Sequence, residues 1–125
     1  MRRKELLVGL TVVMGAFPAI AASADVVAVK VTSAGPERYR FDVTVRHPDT
    51  GWDHYADKWE VVAPDGRVLG TRTLLHPHVD EQPFTRSLGG VGIPADVKQV
   101  LIRAHDNVDG YGQLTTSVRI PPATE

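Results

Sequence analysis

The chain has 125 residues, and its 14 lysines and arginines nearly balance its 15 aspartates and glutamates. No stretch concentrates basic side chains, which argues against nucleic acid as the main partner. Cysteine is absent, which excludes disulfides, thiolate metal sites, cysteine nucleophiles and a lipid anchor on a cysteine at a signal-peptide cleavage site. Folding must therefore depend on apolar burial and backbone pairing.

The beginning of the chain has the pattern of a secretory signal peptide. Residues 2–4 are basic and residues 6–20 are mostly apolar. Residues 22–24, Ala-Ser-Ala, then fit the small-x-small rule that signal peptidase requires. Residues 19–21, Ala-Ile-Ala, offer a second cleavage point. The apolar run is shorter than the ~20 residues that a membrane span needs.

These features predict how the chain is divided and where it is located. We predict a signal peptide at residues 1–24, with cleavage before Asp25, and a single domain at residues 25–125. The protein is then periplasmic or secreted, with no stable membrane insertion after cleavage. A chain of this remaining length is sufficient for one domain with one modest core.

Alternation of apolar and polar residues, the pattern of half-buried strands, runs through the rest of the chain. It is clearest in the second strand, where Tyr39, Phe41 and Val45 share one face. In the third strand Asp57 has the parity of Trp59, so Asp57 is either buried and paired or the strand starts later. The predicted strands cover residues 27–32, 38–46, 55–63, 68–75, 84–88, 97–104 and 114–120.

Turns and loops separate these strands. Residues 64–66, Pro-Asp-Gly, form a strong turn signal between the third and fourth strands. Residues 89–96 are glycine-rich and predicted as a loop, whose Val91 and Ile93 close the lower end of the core. Seven short strands separated by turn signals predict an all-β antiparallel sandwich of two sheets.

The order of elements resembles fibronectin type III and other immunoglobulin-like domains. The resemblance comes from Trp59 on the third strand, Pro94 in the loop before the sixth strand, and a sixth strand that ends in a long loop. It implies a seven-stranded immunoglobulin-like sandwich. The whole chain also resembles small secreted bacterial proteins. Neither resemblance implies an activity, because one fold carries many functions.

Histidines gather at one end of this predicted fold. If each strand runs opposite to the one before it, the loops after the second, fourth and sixth strands fall at the same end, which we call the upper end. All five histidines of the chain then lie there: His47, His54, His76, His78 and His105. Several acids of the same loops accompany them, whereas the lower turns have few.

This arrangement suggests a metal site. Neutral imidazole is a good ligand for zinc and copper(II), and Pro77 stiffens the extended pair of His76 and His78. We predict a non-enzymatic module that binds one such ion through His76, His78 and His105, with His54 or His47 completing the site. The residues predicted to support the ligands or to contact a partner are Asp53, Asp80, Glu81, Asp106, Trp52 and Tyr111.

Simpler roles remain open for each of these residues. His47 could cap the sandwich through hydrogen bonds, and His54 could be a solvated loop residue. The His-Pro-His segment could be only a stiff bend. Alternation places His105 on the solvent-exposed face of its strand, so it could point away from the other histidines. Trp52 could close the upper end of the core or contact a partner.

Two other classes of function compete with metal binding. The first is an adhesion-type module that binds a periplasmic protein through the upper loops, without metal; its contacts would be Trp52, Tyr55, Phe84 and Tyr111. The second is an enzyme, for which a metal-dependent hydrolase is the alternative. No serine lies in a nucleophile elbow and no glycine-rich phosphate loop follows a strand, so the sequence predicts a protein that is not an enzyme.

Overall fold

The computed structural model describes residues 23–122, which form an all-β protein with two antiparallel sheets. One sheet has the strand order β1-β2-β5, and the other has the order β4-β3-β6-β7, with β8 also paired to β6. The strands are β1 (Asp25–Ser33), β2 (Arg38–Arg46), β3 (Ala56–Val62), β4 (Val68–Thr73), β5 (Phe84–Gly92), β6 (Gln99–Asp106), β7 (Gly110–Tyr111) and β8 (Thr116–Arg119).

The predicted signal peptide lies outside the described residues, apart from its last two positions. Within residues 23–122, no helix is long and apolar enough to cross a membrane.

Strand β2 shows how the sequence pattern builds the core. Its residues alternate between buried and more exposed positions, as predicted. Phe41, Val43 and Val45 are fully buried, and Trp59 and Ile102 of the other sheet are fully buried with them in one cluster. Burying each such side chain contributes about 1.5–3 kcal/mol. The all-β, two-sheet prediction is therefore confirmed.

Strand β3 departs from the predicted parity. The pairing with β6 shifts register between Ala56 and Lys58. This bulge places Ala56 in the core, while Asp57 lies on the outer face of the sheet. An extra residue in one strand reverses the alternation on its far side, which is why Asp57 and Trp59 do not share a face.

Two other elements also differ from the prediction. Residues 89–92 are strand rather than loop, because β5 continues along β2 to Gly92 across a register shift between Tyr39 and Phe41. Val91 and Ile93 are nevertheless buried in the core, as expected. The final predicted strand is present as the shorter β8, and β7 forms in the loop predicted before it, so residues 23–122 contain eight strands rather than seven.

The two residues before β1 pack into the domain. Ala24 is fully buried, and the backbone N–H of Gln113 donates to Ser23 Oγ at 3.0 Å. A Cβ added at Gly112 would clash with the Ala24 carbonyl oxygen, so the backbones can approach this closely only because residue 112 is glycine. Cleavage before Asp25 would remove these contacts, and the position of cleavage stays a prediction.

The contact between Ala24 and Gly112 can be tested by adding a side chain at position 112. We expect Gly112→Ala to lower the free energy of unfolding by about 1–3 kcal/mol in a chain that begins at Ala22. The same substitution is expected to have little effect in a chain that begins at Asp25, because the clashing carbonyl is missing. Urea denaturation of the four proteins measures both effects. Equal losses in the two chains would mean that the Ala24 contact is not the cause.

Candidate metal centre

Three loops meet at the upper end of the sandwich, as the predicted threading requires. The N–H of Tyr55, at the end of the β2–β3 loop, donates to Asn107 Oδ1 at 2.9 Å, so this loop is joined to the one that follows β6. The N–H of His78, in the β4–β5 loop, donates to Asp49 Oδ2 at 2.7 Å. Side-chain and backbone hydrogen bonds therefore hold the three loops together.

His47 lies at the centre of these contacts. It follows β2 on the buried parity and has no exposed surface. Its Nδ1 lies 2.6 Å from Asp49 Oδ1, and its Nε2 lies 3.1 Å from Asp106 Oδ2. Its backbone N–H donates to Gln82 Oε1 at 3.0 Å. The imidazole is thus enclosed between two carboxylates.

Asp49 holds the His47 ring in place. Its Oδ1 accepts from the Ala56 N–H at 3.0 Å, and its Oδ2 accepts from the His78 N–H. A carboxylate with these donors is held as an acceptor, so His47 Nδ1 carries a proton and donates it to Asp49. Asp49 was not among the predicted site residues, although the His-Pro-Asp sequence directly after β2 is a signal that could have identified it.

Asp106 approaches from β6. This strand continues two residues further than predicted, so His105 and Asp106 alternate between its outer and inner faces. Asp106 has no exposed surface. Its Oδ1 accepts from the N–H groups of Val108 and Asp109, at 2.8 and 2.5 Å, in the turn into β7. Its Oδ2 remains directed at His47.

His54 completes the group from the end of the β2–β3 loop. It is partly exposed, and its Nε2 lies 3.1 Å from Asp109 Oδ2 and 3.5 Å from Asp106 Oδ1. The rings of His47 and His54 have centroids 4.8 Å apart. His47, His54 and Asp106 form a group that could hold a metal ion, since one ligand atom from each lies within 4.8 Å of the others.

His105 lies outside this group, on the outer face of its sheet. Its Nδ1 is 2.7 Å from Asp57 Oδ1, and its ring meets the edge of Tyr111 at a centroid distance of 4.8 Å. The Tyr111 hydroxyl donates to Glu60 Oε2. Burial raises the pKa of Glu60, but hydrogen bonds and charge from Arg103 outweigh it, and the pKa is below its usual range.

His76 and His78 also lie apart from the group, and their rings are 4.7 Å apart. His78 is buried and stacks on Phe84 at 4.0 Å. Neither ring nitrogen of His78 has a hydrogen-bond partner among residues 23–122. Burial lowers the pKa of His78, and the charge of Arg86 lowers it further. The metal roles of His76, His78 and His105 remain predictions.

The remaining predicted residues have different surroundings. Trp52 is 66% exposed and packs its edge against Tyr55, so it does not close the core. Asp53 and Asp80 are exposed, and Glu81 forms an ion pair with Arg86. Phe84, in contrast, is buried and is not available to contact a partner, which corrects that part of the protein-binding alternative.

Comparison by sequence gives one informative relative, and no known family model matches the chain. A protein of Halomicrobium mukohataei named "Putative lipoprotein" is 45% identical over 89 residues, which cover 71% of this chain and 43% of that protein. The chain thus spans less than half the length of this relative.

Comparison by structure supports the fold. The hypothetical protein PH1083 from Pyrococcus horikoshii OT3 superposes with a TM-score of 0.52 and 13% identity, over 79% of this chain and 90% of that one. Superoxide reductase (neelaredoxin) from Archaeoglobus fulgidus has a TM-score of 0.48 and 11% identity, over 83% of this chain and 91% of that one. Neither protein is named as a fibronectin type III domain, so that resemblance is confirmed only as an all-β antiparallel sandwich.

One prediction is corrected by these comparisons. The chain was predicted not to be an enzyme, but a superoxide reductase, which is an enzyme, has a similar arrangement of strands. The prediction that the chain is not an enzyme is therefore withdrawn. The comparisons support the all-β fold. The candidate for a functional site is the group formed by His47, His54 and Asp106.

Proposed function

We propose that this chain is an exported protein that binds one divalent transition-metal ion, copper(II) or zinc, through His47, His54 and Asp106. The observation that carries the proposal is the convergence of two imidazole nitrogens and a fully buried carboxylate on one small volume. The signal-peptide pattern and the name of the Halomicrobium relative support export.

The hydrogen bonding around His47 calls for a positive charge. When the ring is neutral, with its Nδ1 proton donated to Asp49, the lone pair on Nε2 faces Asp106 Oδ2 at 3.1 Å. Two acceptors this close repel each other unless a proton or a cation lies between them. His54 Nε2 also faces the carboxylate of Asp106, and one divalent ion would satisfy all three groups together.

The balance of charge supports the same conclusion. Asp49 and Asp106 are both buried, and each forms ion pairs only with histidine within residues 23–122. Two buried carboxylates without a lysine or arginine are costly when the imidazoles are neutral. A divalent ion offsets both charges, and its preference for imidazole and carboxylate ligands fits a chain without thiols.

The proposed site has a defined division of roles. His47 and His54 supply nitrogen, Asp106 supplies oxygen, and Asp49 orients the His47 ring. Asp109 is exposed and close to His54, so either this carboxylate or water can take a fourth position. A site with three protein ligands and one open position can bind or activate a small molecule.

The order of the strands supports an immunoglobulin-like topology for the domain. One sheet has the order β1-β2-β5, and it faces the sheet that contains β4, β3 and β6.

The proposal is tested by removing one ligand that the fold can spare. His54 is partly exposed, so His54→Ala is expected to fold and to lower the affinity for zinc and copper(II) by about 100-fold or more. His105→Ala is the matched control, because His105 is equally exposed but pairs with Asp57 on the outer face. Competition titration with a chromophoric chelator measures both affinities.

Two results would refute the proposal. The first is a wild-type chain that binds neither ion at micromolar concentration. The second is an affinity that is the same in the wild type and in the His54→Ala variant. A loss in His54→Ala together with an unchanged His105→Ala supports the site.

A further inference from the structure

A second pair of histidines lies in the β4–β5 loop, separate from the His47 group. His76 and His78 flank Pro77, and their ring centroids are 4.7 Å apart with an angle of 37° between the ring planes. The two rings are thus in direct contact within one short loop.

The tautomer of His76 suits a metal ligand. Its Nδ1 lies 3.0 Å from the Pro77 carbonyl oxygen. A carbonyl oxygen can only accept, so Nδ1 carries the proton and donates it. Whenever the ring is neutral, its lone pair is therefore on Nε2 and free to bind an ion. Because His76 is exposed, an ion can reach that nitrogen directly from solvent.

His78 provides an independent observation. It is only 5% exposed, yet neither of its ring nitrogens has a hydrogen-bond partner among the described residues. A buried polar group without a partner is uncommon in native proteins and calls for an explanation, such as an ion that completes it. Its ring stacks on Phe84 at 4.0 Å with planes 9° apart, a contact that supports the ring but does not use either nitrogen.

The nitrogens of His78 are available without loss of other contacts. No hydrogen bond to either of them within residues 23–122 has to break for an ion to bind there.

We propose that His76 and His78 form a second metal site, which binds copper(II) through one nitrogen from each ring, with water completing the coordination. Copper(II) is favoured over zinc because it stands higher in the affinity order of divalent ions and accepts a tetragonal arrangement of few protein ligands. With two protein ligands, this site is expected to bind more weakly than the His47 group.

The two sites share one structural support. Asp49 Oδ1 faces His47 Nδ1, and Asp49 Oδ2 accepts from the backbone N–H of His78. Gln82 adds a second link, because it accepts from the His47 N–H and donates to the His78 carbonyl oxygen. The second pair is thus fixed beside the first group, although the two sites have no ligand in common.

Titration of the metal-free, untagged protein with copper(II) alone tests the second site. Isothermal calorimetry of the wild type is expected to show about two ions per chain, and His76→Ala is expected to reduce this to about one. His78→Phe keeps an aromatic ring on Phe84 but has no nitrogen, so it should lose the same ion. His54→Ala should lose the tight event and keep the weak one.

His105→Ala is the matched control and is expected to keep both binding events. The second site would be ruled out by a weak event that survives in His76→Ala, or by a wild type that binds a single copper(II) ion. Both outcomes differ from failure of the first site, which would appear as a tight event that is absent from the wild type or unchanged in His54→Ala. Electron paramagnetic resonance of the weak site should show coupling to two nitrogens.

Discussion

Asp49→Ala is expected to lower the free energy of unfolding by about 3–5 kcal/mol, because the buried carboxylate is the common partner of groups from three parts of the chain. The substitution leaves the His47 Nδ1 proton, the Ala56 N–H and the His78 N–H without their acceptor. Hydrogen bonds to a charged group are worth about 1.5–3 kcal/mol each, and these three are buried.

Urea denaturation followed by tryptophan fluorescence measures this change. Asp53→Ala is the matched control, since Asp53 belongs to the same loop but is exposed, and its effect should stay within about 0.5 kcal/mol. Equal effects at the two positions would contradict the role assigned to Asp49. Asp49→Asn, which keeps an acceptor but loses the charge, should fall between the two.

The second large effect concerns the metal itself. At a free zinc concentration about 100 times the dissociation constant, the free energy of unfolding is expected to rise by about 2.7 kcal/mol. For a domain of this size, that corresponds to an increase in Tm of roughly 10 °C or more. The gain arises because the folded chain brings His47, His54 and Asp106 together, whereas the unfolded chain does not.

Thermal unfolding with zinc, with magnesium and with chelator measures this stabilisation. His105→Ala should retain the full increase in Tm, and His54→Ala should lose it. Magnesium should have little effect, since it prefers oxygen ligands. An equal increase in His54→Ala would place the stabilising ion elsewhere on the protein and would contradict the proposed ligands.

Regular alternation made much of the fold predictable. Strand β2 was assigned correctly because each apolar residue from Tyr39 to Val45 marks one face. Strand β3 was not, because the bulge beside Asp57 depends on pairing with β6, which the local sequence does not reveal. The glycines of β5 were assigned to a loop because their own preference is for turns, but pairing with β2 overrides it.

The candidate site was predictable only in part. Chain connectivity was enough to bring the three upper loops together, and so to place the histidines at one end. The directions of the last side chains depend on how far β6 continues. Because the strand reaches Asp106, its alternation places Asp106 on the buried face and His105 on the outer face. The stacking of His78 on Phe84 joins two loop positions whose approach only the folded chain defines.

The packing of Ser23 and Ala24 ties the start of β1 to the segment that follows β7. Asp25 then pairs with Arg46, the residue before His47. A substitution that loosens the start of β1 should therefore also disturb the position of the His47 ring, although it touches none of the proposed ligands.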